Sequence, residues 1–360
     1  MKDRIYNFNA GPAVLPEEVL KEAQENLFSL PGVGMSVLEI SHRSKTFDAI
    51  IDEAKENLKS LLSIPDNYHL LFLQGGASTQ FAMVPMNIMP PNNNADYIVT
   101  GSWSKKAVKE AKRFGTVNIA ASSEETKFDR IPNEYKLSKD TSFVHFTSNN
   151  TIYGTEWLKE PEVGNIPLVC DASSDILHKK IDVSKYGLIY AGAQKNMGPS
   201  GVTFVIIRDD LLERCSDSLI TMLNYKTHTE NNSMYNTPPV FGVYMINLVT
   251  KWLKKLGGLD AMYKLNREKA EIIYNCIDSS NGYFKGHAQK DSRSIMNVTF
   301  NLTTEDLEKK LINEATSNGF SGIKGHRSIG GLRASIYNAC PKVAVEELAK
   351  FMKDFQKKNG

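Results

Sequence analysis

Seven short apolar runs, separated by turn residues or by segments with helical spacing, constrain the fold of this 360-residue chain most strongly. They read HLLFLQ (apolar over 70–73), DYIVTG (97–100), TVNIAAS (117–120), SFVHFTS (143–147), PLVCDAS (168–170), GLIYAG (188–190) and VTFVIIR (202–207). They are apolar throughout rather than alternating, which suits strands buried on both faces of a mostly parallel sheet. The expectation is an α/β domain with about seven strands. Two helical segments precede them. One spaces Val19, Leu20, Ala23 and Leu27 along a face, and the other Phe47, Ile50, Ile51, Ala54, Leu58, Leu61 and Leu62.

After NTPPV the pattern changes. A helix is expected from about Val240 to Leu256, broken by the glycines of LGGLD, then another over 261–277. SIMNVTFNL and GGLRASIYNA read as strands of a smaller α/β unit, with TEDLEKKLINEATSNG and AVEELAKFMKDFQKK as its helices. The expected organisation is an N-terminal arm over 1–15, a large domain over 16–258 and a small one over 259–360. The lysine-rich end KDFQKKNG reads as a frayed, solvated helix end. A net charge of +2 gives no reason to expect nucleic acid or an anionic membrane as partner. No apolar run approaches the ~20 residues of a membrane helix, and MKDRIYNFNAGP has no apolar leader core. Cys170, Cys215, Cys276 and Cys340 are scattered, with no CxxC spacing. These features predict a cytoplasmic protein with structural thiols.

The chemistry centres on AGAQKNMGPSG, which puts Lys195 among small residues between two apolar runs. Lysine is ordinarily a solvated surface residue, so the plain alternative is a loop lysine facing water. Asp171 ends another apolar run about 24 residues earlier, at the carboxyl end of a strand, where ligands of open α/β sheets bind. Read alone, it is a helix cap or half of an ion pair. Gly75 and Gly76 follow the first strand and precede a helix expected to begin near Ser78, with Ser78 or Thr79 as cap. Such a start forms an anion cup suited to one phosphate, and no GK[ST] follows to make a nucleotide loop. A phosphate cup, a carboxylate and an amine in this order along the chain match the needs of pyridoxal phosphate: a held phosphate, a protonated ring nitrogen and a Schiff base. Trp103 could stack on the ring, and the Thr151 hydroxyl could bond its oxygen. Either residue could equally be an ordinary core aromatic or turn cap. His42, Arg43, His326, Arg327 and Arg333 suit a substrate with a carboxylate at one end and a second anion at the other, if they are not surface ion pairs.

Together NFNAGPAVLPEEVL (7–20), SHRSKTF (41–47), GGASTQF (75–81), AGAQKNMGPSG (191–201), NTPP (236–239) and GHRSIGGLRASIYNA (325–339) resemble the phosphoserine aminotransferase family, fold-type-I pyridoxal phosphate enzymes of class V, over nearly the whole length. The resemblance implies that Lys195 is the Schiff-base lysine and that Ala77, Ser78 and Gln194 lie at the phosphate. It implies that Trp103 stacks on the ring, Thr151 touches its oxygen and Asp171 its nitrogen. Asn236 and Thr237 would reach the phosphate of a neighbouring subunit, which makes a homodimer. Arg333 would hold the substrate α-carboxylate, and His326 and Arg327, joined by a neighbour's His42 and Arg43, the distal anion. Some family members carry an arginine in the cup loop; GGAST has none, which places more weight on Arg43, His326 and Arg327. The implied reaction is ping-pong transfer from glutamate to 3-phosphohydroxypyruvate, giving O-phosphoserine in serine biosynthesis, and the same logic admits the phosphorylated hydroxythreonine of vitamin B6 synthesis. The rivals within class V are a cysteine desulfurase, for which Cys340 is the candidate thiol, and a small-amino-acid:glyoxylate aminotransferase, which has no distal anion to hold. A non-catalytic anion-binding protein would leave Lys195 and Asp171 unexplained.

Overall fold

A computed structural model describes residues 4–360. Its central sheet has seven strands in the order Tyr68–Leu73, Thr203–Arg208, Leu188–Gly192, Leu168–Asp171, Thr141–Thr147, Asn94–Val99 and Thr116–Ser122. Each of the seven apolar runs is a strand. Thr203–Arg208 runs antiparallel to both neighbours, and the remaining pairs are parallel.

Both faces of the sheet are buried along its inner strands, which is why those runs are mostly apolar; the edge strand Thr116–Ser122 is largely uncovered. Leu70, Phe72, Phe204 and Ile206 point into one core, against helices Lys45–Leu62 and Val240–Lys255. Their chain neighbours Leu71, Leu73, Val205 and Ile207 point into the other, with helices Gly76–Ile88 and Ser102–Ala111. Helix Lys45–Leu62 starts where the Ser44 side chain accepts from the Phe47 N–H, a cap worth about 1 kcal/mol. It buries Phe47, Ile51, Ala54, Leu58, Leu61 and Leu62, each larger side chain contributing roughly 1.5–3 kcal/mol.

The smaller unit holds an antiparallel sheet of Phe284–Gly286, Asn297–Leu302 and Leu332–Ser335. Helices Gly258–Asp278, Glu305–Ser317 and Lys342–Asn359 complete it. Its core also takes Phe8, because the N-terminal strand Tyr6–Asn7 pairs in parallel with Phe320–Ser321. The arm is therefore built into the small unit rather than lying free. Helix Gly258–Asp278 bridges the two bodies: Leu259 and Met262 sit in the large core, Ala270, Ile273 and Cys276 in the small one.

Three expectations need correction. The bridging helix begins at Gly258 rather than 261, since Gly257 at φ +98° already turns the chain into it. Leu27 is 39% exposed; Asn26 takes the inward position and donates to the Tyr244 hydroxyl at 2.6 Å. The C-terminal helix is not frayed. It continues to Asn359 with Phe355 buried, and Lys310 reaches the Asn359 side chain at 2.5 Å. No helix among the described residues is long and apolar enough to cross a membrane.

Candidate active site

Sheet register assembles the site. Thr147 stands opposite Asp171, and Asp171 opposite Tyr190 two residues before Gly192. The antiparallel strand begins at the same edge, with Thr203 opposite both Leu73 and Gly192. The residues just beyond these ends enclose an open cleft of about 360 Å³ lined by Gly75, Ala77, Ser78, Trp103, Asp171, Gln194 and Lys195. This is the carboxyl end of the parallel strands, where open α/β sheets bind ligands.

Lys195 is only partly buried by its surface, but its amine lies inside the cleft. The Nζ donates to Thr151 Oγ1 at 2.7 Å and lies 5.4 Å from the Trp103 ring centroid. Burial draws its pKa down to about 8, against the opposing pull of Asp171. The small residues around it have specific reasons. A Cβ at Gly198 would stand 2.9 Å from Ile246 Cγ1 on the helix behind. A Cβ at Gly11 would stand 3.2 Å from Lys195 Cγ, because the N-terminal arm crosses the lysine stem.

Asp171 is 4% exposed and accepts from the Ser173 N–H at 3.0 Å. Burial raises its pKa above the ordinary carboxylate value; the Ser173 hydrogen bonds and the Lys195 charge offset part of that rise. Ser173 Oγ also accepts from the Gly192 N–H at 3.1 Å, tying the Asp171 strand to the Lys195 loop.

The anion cup starts earlier than its expected Ser78 or Thr79 cap. Gly75 at φ +92° precedes helix Gly76–Ile88, and Thr79 Oγ1 donates back to the Gly75 carbonyl at 3.0 Å. The first intrahelical bond is Thr79 N–H to that same carbonyl, so the N–H groups of Gly76, Ala77 and Ser78 face outward with the positive end of the helix.

Arg333 comes from the small unit. Its Nη1 donates to the Thr151 carbonyl at 3.2 Å, so Lys195, Thr151 and Arg333 form one connected chain. Burial pulls the Arg333 pKa below its usual value. His326 lies in the loop before that strand. Burial lowers its pKa, and the charges of Arg333, Arg327 and Lys106 add to the effect. Arg327 is exposed. Lys106 was not singled out in the sequence; it stands 4.3 Å over the Trp103 ring.

Thr151, His326, Arg327 and Arg333 are not in the lining of this cleft, Thr151 and Arg333 joining it through the Lys195 hydrogen bond, and four further candidates lie apart from it. His42 and Thr237 share a separate surface depression with Pro199 and Ser200. Asn236 lines another that meets Gly75 and Thr79 from the outer side of the cup. Arg43, like Asn236 and Thr237, is exposed. Sequence reasoning missed Thr147, Ser173 and Asn196. Ser173 had a signal, because a serine two residues after an aspartate readily closes an Asx turn.

The residues present fit pyridoxal phosphate. Trp103 Nε1, Thr147 Oγ1 and Arg333 Nε are buried without a hydrogen-bond partner among the described residues, and buried polar groups normally have one. Together with the outward N–H groups, the Asp171 carboxylate and the Lys195 amine, they offer partners for a phosphate, a ring nitrogen and an aldehyde. All four cysteines are buried and unpaired. Burial pushes the Cys340 thiol up to about 11, which is unsuited to a mobile nucleophile.

Known proteins agree with this geometry. The family described as aminotransferase class V matches residues 5–348. A phosphoserine aminotransferase of Lysinibacillus sphaericus is 56% identical over all of both chains. The solved phosphoserine aminotransferase of Bacillus circulans subsp. alkalophilus is 50% identical, covers 99% of this chain and 100% of its own, and superposes with a TM-score of 0.98. A pyridoxal phosphate-bound phosphoserine aminotransferase from Trichomonas vaginalis is 41% identical, covers 97% and 100%, and has a TM-score of 0.93.

Proposed function

The chain belongs to the class-V aminotransferases, and from that premise we propose that it moves an amino group from L-glutamate to 3-phosphohydroxypyruvate, yielding 2-oxoglutarate and O-phospho-L-serine for serine biosynthesis. The observation that carries this reading is the common cleft of Lys195, Asp171 and the outward N–H groups after Gly75.

When bound, pyridoxal phosphate supplies an electron sink for charge developing at the substrate Cα. The chain's own residues do the rest. Ala77, Ser78 and Gln194 would hold the phosphate at the helix start. Asp171, buried, would keep a proton on the ring nitrogen. Trp103 would pack against the ring, and Thr151 would donate to its oxygen. Lys195 Nζ would hold the aldehyde and serve as the base and acid that moves the substrate proton. Its pKa near 8 leaves a workable neutral fraction at physiological pH.

Arg333 grips the α-carboxylate with its planar fork. His326 and Arg327 hold the distal anion, the phosphate of one substrate or the side-chain carboxylate of the other. His42, Arg43, Asn236 and Thr237 lie outside the cleft of their own chain, which supports a homodimer in which each copy completes the other's site. The division of the chain into an arm over 1–15, a large domain over 16–258 and a small domain over 259–360 is part of the same proposal. So is a cytoplasmic setting, supported by four unpaired buried thiols.

The test is the visible absorbance of the holoenzyme. Bleaching by O-phosphoserine and recovery on 2-oxoglutarate is expected. A band that ignores O-phosphoserine but responds to alanine would overturn the substrate, and no band after reconstitution would overturn the role of Lys195.

A further inference from the structure

Lys269, in the middle of helix Gly258–Asp278, is completely buried, with 0% exposure. Its acceptors are all backbone carbonyls. The Nζ donates to Tyr337 O at 2.7 Å, Ile336 O at 2.9 Å and Cys340 O at 3.3 Å, with Asn338 O at 3.5 Å. A buried ammonium without a carboxylate is a poor source of stability compared with apolar packing. The geometry around the carbonyls explains what it does instead. Residues 336–340 leave the strand that carries Arg333, and several of their carbonyls converge on one point. The Tyr337 carbonyl also accepts from the Cys340 N–H at 2.9 Å, but the carbonyls of Ile336, Asn338 and Cys340 would crowd together without a cation among them.

That turn makes direct contact with the large domain beside the reactive lysine. The Asn338 N–H donates to Asn196 Oδ1 at 2.9 Å, and Asn338 Nδ2 donates to the Leu177 carbonyl at 2.9 Å. Asn196 follows Lys195 in the chain and is fixed in turn through its Nδ2 to the Ile176 carbonyl at 2.7 Å. The Tyr337 hydroxyl donates to the Ala10 carbonyl at 2.7 Å, one residue from the glycine that packs on the Lys195 stem.

We propose that Lys269 is a positioning residue for transamination: its ammonium gathers the carbonyls of residues 336–340, and the turn so held locks Asn338 onto Asn196, fixing Lys195 and Arg333 relative to each other across the two domains. This rests on the roles given above to Lys195 and Arg333. Lys269 itself touches neither substrate nor cofactor.

The test is Lys269→Met as holoenzyme. The expected result is retained cofactor, KM for glutamate and for O-phosphoserine raised about tenfold with kcat changed less, and a shift of about half a unit in the pH midpoint of the cofactor's visible band. Lys269→Arg, which keeps the donors, is expected to restore part of both. A Lys269→Met enzyme that melts earlier but keeps wild-type KM values and band midpoint would overturn the proposal, leaving a structural role only. If Lys269→Met does not fold, Asn196→Ala, which removes the side-chain oxygen that accepts from the Asn338 N–H, decides with the ammonium in place: the same two shifts support the relay, and wild-type values refute it. The band midpoint is read without substrate, so it stands apart from any failure of the O-phosphoserine test.

Discussion

At Lys195 the competition between burial and the Asp171 charge is won by burial, which brings the amine to about 8 from 10.5. The neutral amine is the nucleophile, so cofactor capture by the apoprotein is expected to accelerate as pH rises and to level off above about 8. At neutral pH it should exceed capture by an ordinary lysine by roughly 10²–10³-fold, which stopped-flow absorbance can check. A rate still climbing steeply at pH 10 would contradict the shift. Lys195→Ala is expected to bind the cofactor without a covalent link and to lose at least about 10⁴-fold in turnover; Asp171→Ala should lose more than Asp171→Glu. These two residues are legible in the sequence because each is a charged group at the end of an apolar run. Thr147 and Asn196 are not, since they reach the site through sheet register and a cross-domain hydrogen bond that no local pattern records; Ser173 left only its Asx-turn spacing after Asp171.

At the scale of elements, the cup depends on a backbone conformation. A Cβ at Gly75 would lie 2.1 Å from Thr79 Oγ1 at φ +92°. Gly75→Ala should cost about 1–3 kcal/mol at that turn and weaken cofactor retention, measurable by equilibrium dialysis; unchanged retention would remove the cup from phosphate binding. A second device joins strand ends to the small domain. Glu156, 2% exposed, accepts from His178 Nε2 at 2.9 Å and from the Ile295 N–H at 2.9 Å. Burial pushes Glu156 up, yet the His178 charge and hydrogen bond carry it below its ordinary value. Burial pulls His178 down, and Glu156 more than reverses this. The carboxylate's contribution is complete above about 4.5 and fades as pH falls through its lowered pKa. The imidazolium's is complete below about 6.5 and fades as pH rises through its raised one. Glu156→Ala should therefore destabilise by about 3–5 kcal/mol, most between those two values, as read by urea unfolding at several pH values. The strands and helices were legible because both faces of the sheet are covered along its inner strands. The antiparallel direction of Thr203–Arg208 was not, because an apolar run carries no mark of direction.

At the scale of the whole molecule, the proposed sharing of sites between two copies makes a specific demand. In a mixture of Lys195→Ala and Arg43→Ala chains, a mixed dimer would contain one site with neither change. Activity on 3-phosphohydroxypyruvate is expected to reappear on mixing after dissociation and reassociation, and its absence would place Arg43 in the site of its own chain. The two glycines of LGGLD marked the start of the bridging helix, but the place of the arm was not legible, since nothing near Tyr6 announces a partner at Phe320. That pairing has a consequence in time. During synthesis at about 5–20 residues per second, Tyr6 waits tens of seconds before Phe320 exists, and the Ala10 carbonyl waits as long for the Tyr337 hydroxyl. The large sheet has all its strands by Arg208, while the segment that crosses the Lys195 stem can be fastened down only once Phe320 and Tyr337 have been made. The nascent enzyme thus completes its central sheet before its catalytic edge, and the residues around Tyr6 wait on partners far downstream in the chain.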